Sequence, residues 1–162
     1  MIFVCVGSRK FQFDRLLKKI DELIDAGIIQ EKVYAQIGAS TYKPKMYAYK
    51  DFLSNDDFRH YQNEADLIVT HGGTGAVIGA LKLGKQVIVV PRLSKYKEHS
   101  DDHQLQVAEV LENEGYLRCV LDIDKLGYTI IESKKKPITK VYNKSSKIIS
   151  IIEEFIEGDI VL

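Results

Sequence analysis

Short apolar runs alternate with helical patterns along the chain. Most runs are rich in β-branched residues and apolar on both faces, which is typical of parallel strands that helices cover on both sides. The predicted strands cover residues 2–6, 33–37, 49–53, 67–70, 86–90 and 117–121, and the pattern at 49–53 is the weakest. This order predicts an α/β fold with a doubly wound, mostly parallel, Rossmann-like sheet.

Apolar residues at helical spacing predict the helices between these strands. Gly27 and Gly84 end two of them, and Ser54-Asn55-Asp56-Asp57 has the form of a capping box at the start of another. The predicted helices cover residues 13–24, 55–64, 74–83, 101–114, 123–131 and 145–157. The basic stretch at residues 134–137 predicts a linker before the last helix.

Four segments that follow predicted strands carry most of the candidate chemistry. In a doubly wound sheet, ligands bind outside the carboxyl ends of the strands. The segments are Gly7-Ser8-Arg9, His71-Gly72-Gly73-Thr74-Gly75, Pro91-Arg92 and the loop that continues to Asp101. They are far apart in the sequence, and we expect the fold to bring them to one edge.

The composition narrows the class of protein. The 162 residues fit one domain, and 23 Lys plus Arg balance 23 Asp plus Glu, so we expect no nucleic-acid partner. No stretch approaches the roughly 18 apolar residues of a membrane span, and residues 1–11 lack the basic segment of a signal peptide. Cys5 and Cys119 lie in apolar runs, so we interpret them as core residues of a cytoplasmic protein.

The glycine-rich stretch from His71 to Gly75 permits three interpretations. Gly73-Thr74-Gly75 with Gly79 resembles a dinucleotide fingerprint, although the next strand ends in Pro91-Arg92 instead of an acidic residue; Arg92 would then suit the 2′-phosphate of NADP. Alternatively, the glycines only let a helix pack close to the sheet. The third interpretation is a phosphate clamp of helix N-terminal amides, with Thr74 and His71 as side-chain donors.

A second cluster follows at Glu98-His99-Ser100-Asp101-Asp102-His103-Gln104. His99 and His103 are four residues apart, which is compatible with zinc, but a third ligand is missing and we expect no metal. The cluster could also be a solvated, capped helix start. Asp, His and Gln side chains can alternatively hold several sugar hydroxyls through paired donor and acceptor contacts.

The two clusters together resemble a known family. His-Gly-Gly-Thr-Gly, a helix, a strand ending in Val-Val-Pro-Arg and then Glu-His-x-Asp-Asp-His-Gln resemble the donor-binding half of glycosyltransferase family 28. The opening residues, 1–21, resemble the small soluble subunit of two-component transferases, which include exopolysaccharide and capsule pairs and the dolichol-pathway pair that adds N-acetylglucosamine. The resemblance covers roughly residues 1–125.

The resemblance implies a role for each matching residue. Gly7 and Ser8 would face the phosphates, His71 to Gly75 would form the diphosphate clamp, and Asp102, His103 and Gln104 would recognise the sugar. From the chemistry of the residues themselves, we expect Arg9 or Arg92 to be the cation at the phosphates and Glu98 and His99 to be further sugar contacts. His71 is the only catalytic candidate, although we expect it to contact phosphate and expect the general base in a partner. Gly79 departs from the family, because relatives commonly carry there a Glu that holds the ribose.

The resemblance also implies the protein's partners. Residues 1–132 would form the nucleotide-sugar-binding domain, and residues 133–162 would supply a basic linker and a helix that docks on a partner. That partner would be a membrane-anchored subunit that binds a lipid-linked acceptor, so the chain would be cytoplasmic and peripheral to the membrane. The expected reaction is inverting transfer from a UDP-sugar, without a cofactor. A non-catalytic enhancer subunit and an NADP-binding oxidoreductase domain are the alternatives.

Overall fold

The strands form one parallel sheet in the computed structural model, which describes residues 1–143. The strands are β1 Ile2–Cys5, β2 Val33–Gln36, β3 Ala48–Lys50, β4 Leu67–Thr70, β5 Gln86–Val89 and β6 Arg118–Cys119. Their order across the sheet is β3-β2-β1-β4-β5-β6, and every neighbouring pair is parallel. This is the doubly wound order, so the predicted fold class is confirmed.

The helices cover both faces of this sheet. They are α1 Asp14–Asp25, α2 Asn55–Glu64, α3 Thr74–Lys82, α4 His103–Asn113 and α5 Leu126–Lys135, with short 3₁₀ helices at Ser94–Tyr96 and Ile123–Lys125. Within residues 1–143, none of these helices combines the length and the apolar character needed to cross a bilayer.

The central strand β1 divides the core into two layers. Ile2 and Val4 face the layer that contains α1, whereas Phe3 and Cys5 face the layer that contains α3 and α4. All four side chains are at most 1% exposed. Because side chains alternate along a strand, burial of consecutive residues requires cover on both faces, as the apolar sequence predicted.

Some predicted boundaries are wrong. β3 begins one residue earlier than predicted and ends at Lys50, because the backbone N–H of Leu53 turns to donate to the side chain of Gln36 instead of a neighbouring strand. β6 contains only Arg118–Cys119. The predicted linker begins inside α5, since this helix continues to Lys135 and keeps basic residues in its last turn, where they favour the helix dipole. The predicted helix at 145–157 lies outside the described residues.

The connection between β2 and β3 contains no helix and is held by α1. The carboxylate of Asp21 accepts hydrogen bonds from Tyr42 Oη at 2.6 Å, Lys45 N at 2.8 Å and Met46 N at 2.9 Å. Asp14, which lies two turns before Asp21 in α1, accepts from the backbone N–H groups of Thr41 and Tyr42, each at 2.9 Å. Two carboxylates thus replace the packing that a crossover helix would supply.

Replacing the buried Asp21 with alanine should destabilise this crossover. Three donors lose a charged acceptor, and hydrogen bonds to charged groups contribute about 1.5–3 kcal/mol each before solvent replaces part of the loss. We expect Asp21→Ala to lower the free energy of unfolding in urea by about 2–4 kcal/mol. The matched control, exposed Asp25→Ala, should change it by less than about 0.5 kcal/mol. Equal effects of the two variants would contradict this account.

Candidate functional site

The candidate site lies where the strand order reverses. β1 and β4 are neighbours, but the chain leaves β1 toward α1 on one face and leaves β4 toward α3 on the other. The loops therefore diverge above the carboxyl ends of these strands and open a crevice. This cleft has a volume of about 570 Å³.

Most of the predicted site residues meet in this cleft. Those that line it are Gly7, Ser8, Arg9, His71, Gly72, Gly73, Thr74, Gly75, Arg92, His99, His103 and Gln104. They come from the connections that follow β1, β4 and β5, as expected from the rule that parallel strands present their carboxyl ends at one edge. Glu98 and Asp102 do not line it.

The imidazole of His71 is packed between two glycines. A Cβ atom placed on Gly7 would lie 2.6 Å from His71 Nε2, and one placed on Gly73 would lie 2.3 Å from the same atom. Gly7 also has a φ of +81°, which favours glycine in its own right. These two glycines are thus required by the histidine, whatever the cleft binds.

The burial of His71 keeps its imidazole neutral. Burial, followed by the positive charge of Arg92, lowers its pKa to about 3. Nδ1 lies 3.2 Å from the carbonyl oxygen of Cys5, which can only accept, and 3.2 Å from Thr70 Oγ1, which can accept as well as donate; a proton on Nδ1 is therefore the tautomer that satisfies both contacts. Nε2 is then an acceptor. The prediction that His71 donates to phosphate does not fit this tautomer.

The N-terminus of α3 opens into the cleft. Gly73 is the N-cap residue, and no side chain caps the helix. The first intrahelical bond runs from Val77 N to Gly73 O at 3.1 Å, so the amides of Thr74, Gly75 and Ala76 precede the helical ladder. These amides carry the positive end of the helix dipole, which favours an anion.

Arg92 lies beneath the cleft. Its side chain is 1% exposed, and Nη2 donates to the carbonyl oxygen of Phe11 at 2.9 Å. Nε is buried without a hydrogen-bond partner among residues 1–143. Burial lowers the pKa of Arg92 to about 10, against the opposing charge of Glu98, so the guanidinium stays charged at neutral pH. Arg9, in contrast, is exposed at the rim.

Two predicted sugar contacts point elsewhere, and this corrects the sequence interpretation. Glu98 is 1% exposed, and its carboxylate binds Arg15 at 2.8 Å. Asp102 is the N-cap residue of α4, and its carboxylate accepts from Ser94 N at 2.9 Å. Both carboxylates stabilise the loop between β5 and α4 instead of facing the cleft.

The two histidines of this loop are not on one helical turn. His103 begins α4, whereas His99 precedes the helix and packs its ring 4.8 Å from the ring of Phe11. Burial alone would raise the pKa of Asp101, but the hydrogen bond from the backbone N–H of His103 and the charges of the nearby histidines outweigh burial and lower this pKa. Asp101 therefore keeps a carboxylate at the cleft. No group of three or more His, Cys, Asp or Glu side chains in the described part of the chain is placed to hold a metal ion.

Several cleft residues were missed by the sequence analysis. They are Gln36, Leu53, Asn55, Phe58, Ala76 and Val107, whereas Asp101 belongs to the predicted cluster after β5. Gln36 had a detectable signal, because it is a polar residue at the end of an apolar strand, where the sheet presents its ligand edge. The side chain of Gln62, from α2, lies next to Gly79. A Cβ atom on Gly79 would be 3.5 Å from Gln62 Oε1, and Gln62 Nε2 donates to Ala76 O at 3.2 Å.

Comparison with known proteins identifies the family. The model of the glycosyltransferase family 28 C-terminal domain matches residues 1–157. The chain belongs to this family. Its strand order, helix cover and cleft position are those of the Rossmann-like fold that the resemblance implied.

Individual relatives agree with this assignment. A UDP-N-acetylglucosamine transferase subunit ALG13 from Yarrowia lipolytica is 34% identical over 77 residues, covering 48% of this chain and 37% of that protein. The protein of the same name from Mus musculus is 30% identical over 129 residues, covering 71% of this chain and 10% of that protein. The chain therefore matches 37% of the length of the first relative and 10% of the length of the second.

A solved structure shows the same fold. The solution NMR structure of ALG13 superimposes with a TM-score of 0.57 at 19% sequence identity, covering 95% of this chain and 93% of that one. At this level of identity, the likeness concerns the fold alone.

Alanine at Gly73, which packs against His71, should destabilise the fold, whereas alanine at Gly75 should not. Gly73→Ala places a methyl group against His71, and such overpacking costs about 1–3 kcal/mol of unfolding free energy. Nothing lies within 4 Å of a Cβ on Gly75, so Gly75→Ala should be neutral or should gain about 0.5–1 kcal/mol from helix propensity. Urea unfolding measures both. Equal stability of the two variants would contradict the packing of His71.

The buried His71 should make stability depend on pH. Below its ordinary pKa of 6.5 the unfolded chain binds a proton, whereas the folded chain does not until about pH 3. Stability is therefore complete above pH 6.5 and falls toward pH 3, by up to about 1.4 kcal/mol per pH unit. His71→Asn keeps a donor for Cys5 but cannot titrate. Urea unfolding at several pH values should show a shallower slope for the variant, and an unchanged slope would refute the assignment.

Proposed function

We propose that the chain is the donor-binding half of an inverting glycosyltransferase, which transfers a sugar from a UDP-sugar to a lipid-linked acceptor. The observation that carries this proposal is the cleft at the switch point of the sheet, with the uncapped N-terminus of α3 directed into it. Membership of glycosyltransferase family 28 supports the same reaction class.

The proposed diphosphate site is positive without a metal ion. The amides of Thr74, Gly75 and Ala76 would donate to phosphate oxygens, and Arg9 and Arg92 add positive charge. Hydrogen bonds to charged groups contribute about 1.5–3 kcal/mol each, so two or three carry a useful share of the binding. Because Arg92 Nη2 is bound to Phe11 O, Arg92 acts mainly through its charge, and Arg9 is the better direct contact.

The proposed chemistry places the largest change of charge at the same amides. An acceptor hydroxyl attacks the anomeric carbon, the bond to the UDP oxygen breaks, and UDP leaves with an added negative charge. Donors that are already oriented toward this oxygen stabilise that charge in the transition state. A base must remove the acceptor proton. With a pKa of about 3, His71 is too weak for this task, so we place the base in the acceptor-binding partner.

The sugar would lie on the α4 side of the cleft. His99, Asp101, His103 and Gln104 present both donors and acceptors there. Gln104 Oε1 accepts from Arg92 N at 3.4 Å, so its Nε2 is directed to donate to a sugar hydroxyl. The names of the relatives favour N-acetylglucosamine as the transferred sugar.

The partner and setting are part of the proposal. Both relatives are named as subunits, which supports a second subunit that binds the acceptor. We propose that this subunit is membrane-anchored and holds the chain at the cytoplasmic face. An acceptor from exopolysaccharide or capsule synthesis and a dolichol-linked acceptor both stay predictions of the resemblance.

Two alternatives make different predictions. An enhancer subunit would stabilise its partner without binding a donor, whereas an oxidoreductase domain would bind NADP. The family match favours glycosyl transfer over the NADP alternative. Direct binding of nucleotides separates all three.

The test is calorimetric titration with UDP, UDP-N-acetylglucosamine and NADP, each with and without EDTA. We expect UDP and the UDP-sugar to bind in both conditions and NADP not to bind. Gln104→Ala should lower the affinity for the UDP-sugar about 2–10-fold but leave the affinity for UDP unchanged, since one neutral hydrogen bond contributes about 0.5–1.5 kcal/mol.

The control variant is Gln106→Ala, which is also in α4 but exposed and outside the cleft. It should match the unmodified chain with every ligand. A folded chain that binds none of the nucleotides, even with its partner, would refute the donor-binding proposal and favour the enhancer.

A further inference from the structure

We infer that Glu98 is a positioning residue, which joins the loops on the two sides of the cleft and thereby sets its affinity for a nucleoside diphosphate. The first observation is the bidentate contact with α1. Arg15 Nε donates to Glu98 Oε1 at 2.8 Å, and Arg15 Nη2 donates to Glu98 Oε2 at 2.9 Å. Paired Arg–carboxylate bonds of this kind fix orientation as well as distance.

The same carboxylate and guanidinium hold the loop between β5 and α4 at two further points. Glu98 Oε2 accepts from the backbone N–H of Leu93 at 3.0 Å, and Arg15 Nη2 donates to Pro91 O at 3.3 Å. The Arg15 guanidinium also lies 4.7 Å from the ring centroid of Tyr96. The pair therefore binds both the beginning and the end of residues 91–98.

Arg92 extends the connection to the loop between β1 and α1. Its Nη2 bond to Phe11 O crosses from one rim loop to the other, and its guanidinium lies 5.4 Å from the ring centroid of Phe13. The ring of Phe11 in turn packs against His99. The result is a group of two arginines and one carboxylate that includes Arg92 of the cleft; Arg92 and Glu98 are buried, and Arg15 is 19% exposed.

The sign of the charge makes this inference testable. Glu98 is negative and lies beside a cleft that we propose binds an anion. If it acted only through its charge, its removal would strengthen UDP binding, because one repulsive charge would disappear. If it positions the loops, its removal weakens UDP binding despite the favourable change in charge.

The experiment compares Glu98→Gln, Arg15→Met and the double variant with Glu22→Gln, a matched substitution at an exposed carboxylate. UDP affinity is measured by calorimetry at about 0.05 M and about 0.5 M salt. At the higher concentration, Coulomb interactions between exposed charges are largely screened. Amide hydrogen exchange of residues 8–12 and 91–99 is measured without ligand. Ile130→Val, at a buried position of α5, controls for a general loss of stability.

This inference rests on the proposed function for its effect on UDP but not for the exchange result. We expect each single variant to bind UDP with about tenfold lower affinity at both salt concentrations. The double variant should bind UDP no more weakly than the weaker-binding of the two single variants. Exchange should rise in the two rim segments for these variants and not for either control. Unchanged or tighter UDP binding by Glu98→Gln, or unchanged rim exchange, would overturn the inference.

Failure of the proposed function would have a different signature. If the unmodified chain bound no UDP while Glu98→Gln still raised exchange at the rim, donor binding would be refuted and the connection between the loops would stand. If the unmodified chain bound UDP and the rim exchange did not change, the proposed function would stand and the role of Glu98 would fall.

Discussion

The parallel pairing of β1 with β4 is the constraint on which both the fold and the cleft depend. It reverses the strand order, so α1 and α3 lie on opposite faces of the sheet. The loops after the two strands must then diverge, and the crevice between them receives the N-terminus of α3.

The same geometry explains why the site contains a histidine that is neutral at physiological pH. His71 directly follows β4, where Nδ1 bonds to Cys5 O of the neighbouring strand and the ring lies between Gly7 and Gly73. A charged imidazole there would oppose Arg92 in a buried environment. His71 therefore shapes the proposed phosphate clamp, whose positive potential would come from the backbone amides and the arginines.

The polar residues after β5 divide into two groups with different tasks. His99, His103 and Gln104 face the cleft, whereas Glu98 and Asp102 bind their own loop or α1. A single short segment thus presents side chains to the cleft and also fixes its own conformation. This division is typical of sites in which residues that contact a ligand are oriented by others behind them.

The sequence by itself determined the fold class, the edge of the sheet that carries the site, and the glycine-rich start of α3. These features are local, because apolar periodicity and helix starts depend on neighbours in the chain. Only the tertiary structure decided the direction of Glu98, whose partner Arg15 is 83 residues away, and the tautomer of His71, whose partner Cys5 is 66 residues away. Packing sets such distant contacts, and no spacing along the chain encodes them.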